Sequence, residues 1–441
     1  MTPDERLAEI QGELRSRNPE NRIDPTLTRI EAVCGLLGDP QTAVPVIHVA
    51  GTNGKTTTSR MIETLLREFG LRTGLMTSPH LHDERERIRL DGEPVDVERY
   101  IEAWDDIAPI VGLVDEREGR LSYFEALTVL GFAIFADAPV DVAIIEVGLG
   151  GEFDASNVVQ PVVTVITPIG LDHQDYLGPD LASIARAKAG ILKPDAVPVI
   201  ARQQLVAAEV IAKRCVELGL PMLREGLEFG VLDRQLAVGG QMLTIQGLAG
   251  PYAEIVLPLH GEHQASNAAV ALAAVEAFFG GVGHLDDEVV RSAFSNVSSP
   301  GRCEVVRRSP TVIVDAAHNP HGAAALARTL EEEFDFAHIT GVVSILADKD
   351  VAGVLGTLEP VFDEVVVTRN SSPRAAELPD ITMIAVEVFG EDRVQVAGTL
   401  AEAADLAMEL ADRYGEGSGV VITGSVVTAA EARALFGRAT A

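Results

Sequence analysis

The chain has 441 residues, 47% of them hydrophobic, so it can bury substantial cores and is longer than a single domain usually runs. Its 66 acidic and 35 basic residues give a net charge of −31, which repels a phosphate backbone and argues against nucleic acid as a partner. A site for an anionic substrate must therefore concentrate backbone amides, a helix N-terminus, a metal ion or a few cations.

The N-terminal segment is charged and lacks the apolar stretch of a signal peptide, and no later segment supplies the roughly 18 apolar residues of a membrane span. The three cysteines, Cys34, Cys215 and Cys303, are far apart and lack C-x-x-C spacing. We interpret them as reduced packing residues rather than as a disulfide framework or a zinc site. We expect a cytoplasmic monomer without a membrane partner.

Apolar runs alternate with helical patterns through most of the chain, as expected of a parallel sheet covered by helices. The run at 140–147 is β-branched and nearly continuously apolar, which is typical of a strand buried on both faces. Short strands and glycines at 227–259 indicate a small antiparallel excursion before a helix that begins near Gln264. The other elements predicted in this part are strands at 44–50, 72–77 and 162–167 and helices at 56–69, 181–188 and 207–218.

The stretch 296–301 (NVSSPG) is rich in turn formers and follows a helical pattern, so we place a domain boundary between residues 297 and 298. A second alternating series follows, with predicted strands at 311–314, 340–346, 364–368 and 419–422 and helices at 322–334 and 400–414. The predicted fold is α/β. It consists of a P-loop NTPase-like parallel-sheet domain over residues 1–297 and a smaller Rossmann-like α/β domain over residues 298–441.

A phosphate-binding loop is the strongest local signal in the sequence. Glycines let backbone amides curl around phosphate, the helix N-terminus adds its positive dipole end, a lysine reaches the terminal phosphates and a hydroxyl can ligate Mg²⁺. The full pattern needs a further glycine where Val49 stands, so a chance glycine turn with a solvated lysine is the alternative. The loop that follows the first predicted strand consists of Gly51, Thr52, Asn53, Gly54, Lys55, Thr56 and Thr57.

Three strand ends carry polar side chains at the edge where an open parallel sheet binds ligands. Glu146 interrupts an apolar run just before a glycine-rich loop. It either binds a metal ion or serves as an ordinary ion-pairing or capping residue. His173 follows the next strand and is either a ligand or an ordinary surface histidine. In the second domain Asp315 ends a strand and His318 lies in the following turn, which either holds a ribose or phosphate group or caps a helix.

Nine segments in order carry a family resemblance: HVAGTNGKTTT, TSPHL, IIEVGLGG with FDASNVV, GLDHQDYLG, ARAKAGILKP, HQASNAA, SPGR, DAAHNPH and LADKD. Over nearly the whole chain they resemble the folylpolyglutamate synthase and dihydrofolate synthase family of the Mur ligase superfamily. One match can arise by chance, but nine in sequence do not. The resemblance implies an ATP-dependent ligase that joins L-glutamate to folates, and to dihydropteroate as well, through an acyl phosphate. The implied small molecules are ATP, L-glutamate, a folate or dihydropteroate, and Mg²⁺.

The resemblance also implies roles for single residues, where spacing alone would leave Lys188 as a solvated helix lysine. Catalysis would involve Lys55, Lys188 and His173. ATP would be held by Gly51, Thr52, Asn53, Gly54, Lys55, Thr56, Thr57, Asn267, Arg302, Asp315 and His318. The metal ligands would be Ser78, Glu146, His173 and a carbamylated Lys188. The folate contacts would be Ser78, Pro79, His80, His82, Asp154 and Ala155.

One departure and two rival interpretations accompany the resemblance. Glu152 stands where many relatives carry arginine, which reverses a charge near the implied acid substrate. The first rival is a Mur-type ligase of peptidoglycan precursors, which resembles a three-domain plan, whereas only fifty residues precede the phosphate loop. The second is a catalytically inactive nucleotide-binding regulator. Against it stands the joint presence of Lys55, Glu146, His173 and Lys188.

Overall fold

The chain folds into two α/β units in a computed structural model that describes residues 2–19, 25–281 and 283–438. Within these ranges the main sheet of the first unit consists of β1 (Val46–Ala50), β2 (Thr73–Met76), β3 (Ile88–Leu90), β4 (Glu93–Pro94), β5 (Val142–Glu146), β6 (Val163–Ile166), β7 (Val197–Ile200) and β8 (Leu223–Arg224). Their order across the sheet is β4-β3-β2-β5-β1-β6-β7-β8. The pairs β2–β3 and β3–β4 are antiparallel, and all the other neighbours are parallel.

Strand β1 lies in the middle of this sheet and is buried over its whole length. It pairs with β5 on one side and β6 on the other, so that Ile47 lies opposite both Ile144 and Val163. Because these three strands are parallel, their carboxyl ends meet at one edge of the sheet. That edge is where open α/β sheets bind ligands.

Helices cover both faces of the main sheet. They are α1 (Pro3–Arg15), α2 (Thr28–Leu36), α3 (Lys55–Glu68), α4 (Val97–Arg117), α5 (Tyr123–Asp137), α6 (Gln174–Leu177), α7 (Leu181–Ala189), α8 (Leu205–Leu218), α9 (Glu262–Phe278) and α10 (Asp287–Ser295). One core, with Met61 and Leu272, lies under α3 and α9; another, with Trp104 and Phe132, lies under α4 and α5. No helix in the described ranges is long and apolar enough to cross a membrane.

The predicted antiparallel excursion is confirmed as a separate three-stranded sheet. Its strands are β9 (Gly230–Ala237), β10 (Gly240–Gln246) and β11 (Pro251–Leu257), in the order β11-β10-β9. Leu243 and Ile255 point from this sheet into the core that also contains the α9 side chains. The small sheet is therefore a part of the first unit.

The second unit has its own six-stranded sheet in the described chain. The strands are β12 (Glu304–Arg308), β13 (Thr311–Val314), β14 (His338–Val343), β15 (Glu364–Val367), β16 (Val394–Val396) and β17 (Ser418–Thr423), in the order β12-β13-β17-β14-β15-β16. Only the β12–β13 pair among them is antiparallel. The helices are α11 (Pro320–Glu333), α12 (Val351–Leu358), α13 (Leu378–Phe389), α14 (Leu400–Tyr414) and α15 (Val426–Leu435).

A buried carboxylate links the small antiparallel sheet to the second unit. Glu333, the last residue of α11, has a side chain that is only 2% exposed. It contacts the guanidinium of Arg234, lies 3.0 Å from Nδ1 of His260 and accepts a hydrogen bond of 2.7 Å from the backbone N–H of Gly261. All three partners belong to the first unit, so this contact fixes one end of the boundary between the units.

The α/β class predicted from the sequence is confirmed, and β13 and α14 match their predicted bounds to the residue. Helix α11 begins two residues early because the side chain of Asn319 caps it, accepting from the Gly322 N–H at 2.8 Å. The helices that the sequence analysis missed are α1, α2, α4, α5, α6, α12, α13 and α15. Helix α5 is buried on most sides and so lacks an amphipathic period. Helix α10 and strand β12 lie on either side of the boundary between 297 and 298, which stays a prediction.

Candidate functional site

The two units enclose a cleft of about 480 Å³ at the carboxyl edge of β1, β5 and β6. Most of the residues singled out from the sequence line it, although they come from distant parts of the chain. They are Gly51, Thr52, Asn53, Gly54, Lys55, Thr56, Thr57, Ser78, Pro79, Glu146, Asp154, Ala155, His173, Lys188, Asn267, Arg302, Asp315 and His318. His80 and His82 lie outside the cleft lining.

The loop after β1 has the backbone geometry of a phosphate cradle. Gly54 has a φ of 85°, in the left-handed region that favours glycine, and a Cβ added there would lie 2.6 Å from Oδ1 of Asn267. Lys55 is the first residue of the 14-residue helix α3. The free N–H groups of its first turn and the positive end of its dipole are directed toward the cleft. An anionic group is therefore favoured at this point.

Glu146 lies beside the phosphate loop at the end of β5. The Thr56 hydroxyl donates its one proton to the Glu146 carboxylate, with its oxygen 2.9 and 3.0 Å from the two carboxylate oxygens, and the backbone N–H of Ser78 donates to Oε2 at 3.4 Å. Burial raises the pKa of the Glu146 carboxyl, whereas the charge of Lys55 lowers it. A carboxylate, a hydroxyl and a serine thus converge at the start of α3.

Lys188, on α7, lies under the phosphate loop rather than in solvent. Its side chain is buried, and its Nζ donates a hydrogen bond of 2.7 Å to the carbonyl oxygen of Gly51. Burial, assisted by the charge of Lys55, lowers the pKa of Lys188 to about 7. A substantial fraction of this amine is therefore neutral near pH 7, which is the form that reacts as a nucleophile.

Asp172 joins the two units across the cleft. Nζ of Lys349 donates to its Oδ1 at 2.6 Å, and Nδ2 of Asn319 donates to its Oδ2 at 3.0 Å. The side chains of Lys349 and Asp172 are only 6% and 8% exposed. Burial raises the pKa of Asp172, but the hydrogen bond with His318 and the charge of Lys349 outweigh burial and hold this pKa well below its usual range. The carboxylate is therefore ionised and paired.

His173 lies next to this ion pair, with its Nε2 3.2 Å from Nζ of Lys349. Burial lowers the pKa of His173 to about 3, so the ring is neutral and Nε2 accepts from the ammonium. A metal ion on this nitrogen would have to displace Lys349. Sequence reasoning missed Lys349, because a lysine in a polar turn has no local feature that distinguishes it from a solvated one.

The phosphate loop contacts the second unit directly. Asn53 and Asn319 exchange two hydrogen bonds of 3.2 Å, and the Thr57 and Ser299 hydroxyl oxygens lie 2.8 Å apart. Asp315 holds the turn after β13 in place by accepting from the N–H groups of Cys303 at 2.8 Å and Ala317 at 2.7 Å. The turn that contains His318 therefore faces the phosphate loop at a fixed distance.

The other end of the cleft is lined by aromatic and apolar side chains that sequence reasoning did not identify. The ring of Phe124 packs against Gly148, and a Cβ added to that glycine would lie 2.6 Å from the ring. Phe153 and Tyr176 also line this end, and their side chains are about half exposed. Phe153 and Tyr176 follow strand ends within segments already singled out, which is the signal that could have identified them. Such a wall suits a planar ring system.

Three residues near the cleft do not line it. Nδ1 of His80 accepts from Nε of Arg87 at 2.8 Å, and Nε2 of His82 accepts from Nη1 of Arg433 at 3.0 Å. Glu152 is exposed and does not line the cleft, so its carboxylate does not face the aromatic wall. The loop from Ser78 is thus held by arginines from both units.

Two protein-family models match the chain: the Mur ligase middle domain over residues 49–275 and the Mur ligase, glutamate ligase domain over residues 301–426. The sequence is 51% identical to the dihydrofolate synthase/folylpolyglutamate synthase of Mycobacterium tuberculosis, over 99% of this chain and 96% of that protein. The structure is similar to that of M. tuberculosis folylpolyglutamate synthase complexed with ADP, with a TM-score of 0.95 and 52% identity over 99% of each chain. It is also similar to Escherichia coli FolC in complex with DHPP and ADP, with a TM-score of 0.86 and 32% identity over 98% of this chain and 97% of that one.

Lys349→Met is predicted to destabilise the protein by about 3 kcal/mol, because it leaves the buried Asp172 carboxylate without its ion-pair partner. The free energy of unfolding would be measured in urea at pH 7, and Lys213→Met, on the exposed face of α8, is the control with an expected change within about 0.5 kcal/mol. Equal stabilities of the two variants would show that the pair contributes nothing.

Proposed function

The chain belongs to the Mur ligase family and, within it, to the dihydrofolate synthase/folylpolyglutamate synthases, and from this premise we propose how its cleft works. It is an ATP-dependent ligase that adds L-glutamate to folates. We propose that dihydropteroate is a second acid substrate, so that one site carries out both steps. The observation that carries the proposal is the continuity of a single cleft from the phosphate loop to the aromatic wall.

The proposed reaction has two displacements at one place. A carboxylate oxygen of the acid attacks the γ-phosphorus of ATP, ADP leaves, and an acyl phosphate forms. The amine of glutamate then attacks the acyl carbon, loses a proton and expels inorganic phosphate as the amide forms. Both steps develop negative charge on phosphoryl oxygens, so the protein must mainly supply cations and a fixed in-line geometry.

Lys55 is proposed as the cation that meets the transferred phosphoryl group. It begins α3, so the free amides of that helix and its own ammonium address the same anion. The proposed ATP contacts are the loop from Gly51 to Thr57 on one side and, from the boundary between the units, Asn267, Arg302, Asp315 and His318. Lys55 and the start of α3 supply positive charge at this end of the cleft although the chain as a whole is acidic.

A magnesium ion fits the group formed by Thr56, Ser78 and Glu146. The described residues contain no cluster of three or more His, Cys, Asp or Glu side chains that could hold a metal ion alone. Mg²⁺ does not need one, because it usually binds one or two carboxylates and takes its remaining ligands from water and substrate phosphates. When bound, it would neutralise charge on the β- and γ-phosphates.

A second ion on His173 and a carbamylated Lys188 is a separate proposal. The neutral ring of His173 and the partly neutral amine of Lys188 have the protonation states that this chemistry needs. However, the Lys349 ammonium occupies the position facing Nε2 of His173. We therefore derive no step through a second ion.

The acid substrate is proposed to lie between the aromatic wall and the loop that begins at Ser78. Asp154 and Ala155 line this end of the cleft, and Pro79 continues the lining on the other side. His80 and His82 would contact the acid only after leaving Arg87 and Arg433. Because Glu152 lies outside the cleft, we expect it to disfavour neither acid.

Three further proposals concern the protein as a whole. We propose that it acts in the cytoplasm, which agrees with the burial and unpaired state of Cys34, Cys215 and Cys303. We propose that it is a monomer, since one chain contributes both walls of the cleft. The domain boundary is proposed between residues 297 and 298.

The proposed function is tested by steady-state ADP release with tetrahydrofolate, dihydropteroate and a UDP-muramyl peptide in parallel. We expect ATP- and glutamate-dependent turnover with the first two acids and none with the third. If tetrahydrofolate is turned over but dihydropteroate is not, at saturating ATP and glutamate, the enzyme adds glutamate to folates alone. No turnover with any acid, while ATP still binds, would favour the inactive regulator.

Lys55→Ala is predicted to lower kcat/KM by at least about 100-fold, because it removes the cation nearest the transferred phosphoryl group. Thermal unfolding should stay within a few degrees of wild type, since among the described residues the Lys55 ammonium donates only a long 3.3 Å hydrogen bond, to its own loop. Lys213→Ala is the matched control and should keep full activity. Retention of a tenth or more of the wild-type turnover would contradict the role given to Lys55.

Lys188→Ala is predicted to abolish most of the activity, and added formate or acetate should restore part of it by replacing the carbamate carboxylate. Because a neutral amine is needed, carbamylation should increase as pH rises through about 7. Carbon-13 NMR in labelled bicarbonate should show a carbamate signal in wild type that is absent from Lys188→Ala and retained in Lys55→Ala. A wild-type spectrum without that signal across pH 7 to 9 would rule out the modification.

A further inference from the structure

His48 is a polar residue in a strand that is buried over its whole length. It lies in the middle of β1, three residues before Gly51, and its side chain has no exposed surface. Its neighbours across the sheet are Ile145 on β5 and Thr164 on β6. A buried imidazole is unfavourable unless its ring nitrogens find partners, so its presence here calls for a physical reason.

The ring of His48 begins a chain of hydrogen bonds that ends in the cleft. Its Nε2 lies 2.9 Å from the hydroxyl oxygen of Ser156, and that hydroxyl donates to Oδ1 of Asp154 at 2.5 Å. The Asp154 carboxylate also accepts from the N–H groups of Ser156 at 3.0 Å and Leu149 at 2.8 Å. Asp154 therefore closes the loop 148–156 on itself, and that loop carries part of the cleft wall.

The hydrogen bonds select one tautomer of His48. The Ser156 hydroxyl has a single proton, and it is used on Asp154, so the Ser156 oxygen can only accept from an Nε2–H group. The Nδ1 atom is then a bare acceptor, and it has no hydrogen-bond partner among the described residues. Burial lowers the pKa of His48 to about 3, which excludes the imidazolium near neutral pH.

The reverse arrangement is less favourable. Burial raises the pKa of Asp154, and a protonated carboxyl could donate to Ser156, which would then donate to Nε2 of His48. That arrangement puts the proton of His48 on Nδ1, where it would be a buried donor that no described residue accepts. Orphaned buried N–H groups are rarer than under-satisfied acceptors.

We propose that His48, as the neutral Nε2–H tautomer, is a positioning residue that holds the Asp154 loop in place through the Ser156 hydroxyl. The proposal rests on the proposed function for the identity of the acid that this loop meets. Strand β1 then serves both substrates: its end carries the phosphate loop, and one of its side chains supports the acid side of the cleft.

The kinetic test compares His48→Leu, His48→Gln and Ser156→Ala with wild type. His48→Leu and Ser156→Ala remove the relay and should raise the KM for tetrahydrofolate about tenfold, which is the effect of losing one buried hydrogen bond. The KM for ATP should stay within about twofold, because the phosphate loop keeps its own contacts. His48→Gln keeps an N–H donor near the position of Nε2 and should recover most of the wild-type KM.

Thr164→Val is the matched control. Thr164 lies in register with His48 on the neighbouring strand, and its buried hydroxyl has no partner among the described residues, so its loss should not change the KM for the acid. An unchanged acid KM in folded His48→Leu and Ser156→Ala would overturn the proposal. So would an equal rise in the KM values for the acid and ATP.

Nitrogen-15 NMR of wild-type protein with labelled histidine tests the tautomer without turnover. We expect a proton on Nε2 and a bare Nδ1 for one histidine whose signals do not titrate between pH 5 and 8 and that disappear in His48→Gln. A proton on Nδ1, or an imidazolium at pH 7, would refute the relay even if His48→Leu fails to fold. Wild-type protein that turns over no acid would instead refute the proposed function, and the spectrum would still decide on the tautomer.

Discussion

The ion pair between Lys349 and Asp172 is the contact on which the geometry of the cleft depends. It joins a turn of the second unit to a strand end of the first, and both side chains are almost fully buried. Asn319 bonds to the same carboxylate and to Asn53 of the phosphate loop, so one acidic residue aligns both walls. A buried charge left alone is strongly unfavourable, and the pair therefore opposes any relative shift of the two walls.

The same region also resolves a conflict between the composition of the chain and its substrates. A protein with a net charge of −31 must bind highly anionic nucleotides and acids, which its overall field disfavours. The fold meets this requirement locally, by placing Lys55 at the first position of α3 and by directing the start of that helix at the cleft. The low dielectric around these groups makes each positive charge act more strongly than it would at the surface.

The sequence was sufficient to predict the parts of the site that depend on local order along the chain. The phosphate loop needs a strand, a glycine turn and a helix in succession, and Glu146 stands out as a charge inside an apolar run. Lys349 and the aromatic wall depend instead on which strand ends become neighbours in space, and a single sequence does not carry that information. The environment of Lys188 was missed for the same reason, because its burial is created by the loop of another strand.

The contact of Glu333 with Arg234, His260 and Gly261 lies at the far end of α11 from the cap that faces the phosphate loop. It is buried and uses several donors at once. The end of the boundary next to the substrates is held by the Lys349–Asp172 pair together with the Asn53–Asn319 amide pair, so both ends resist separation. A swing of the second unit about α11, with Glu333 as the hinge point, would therefore have to break the Lys349–Asp172 pair and return both charges to water.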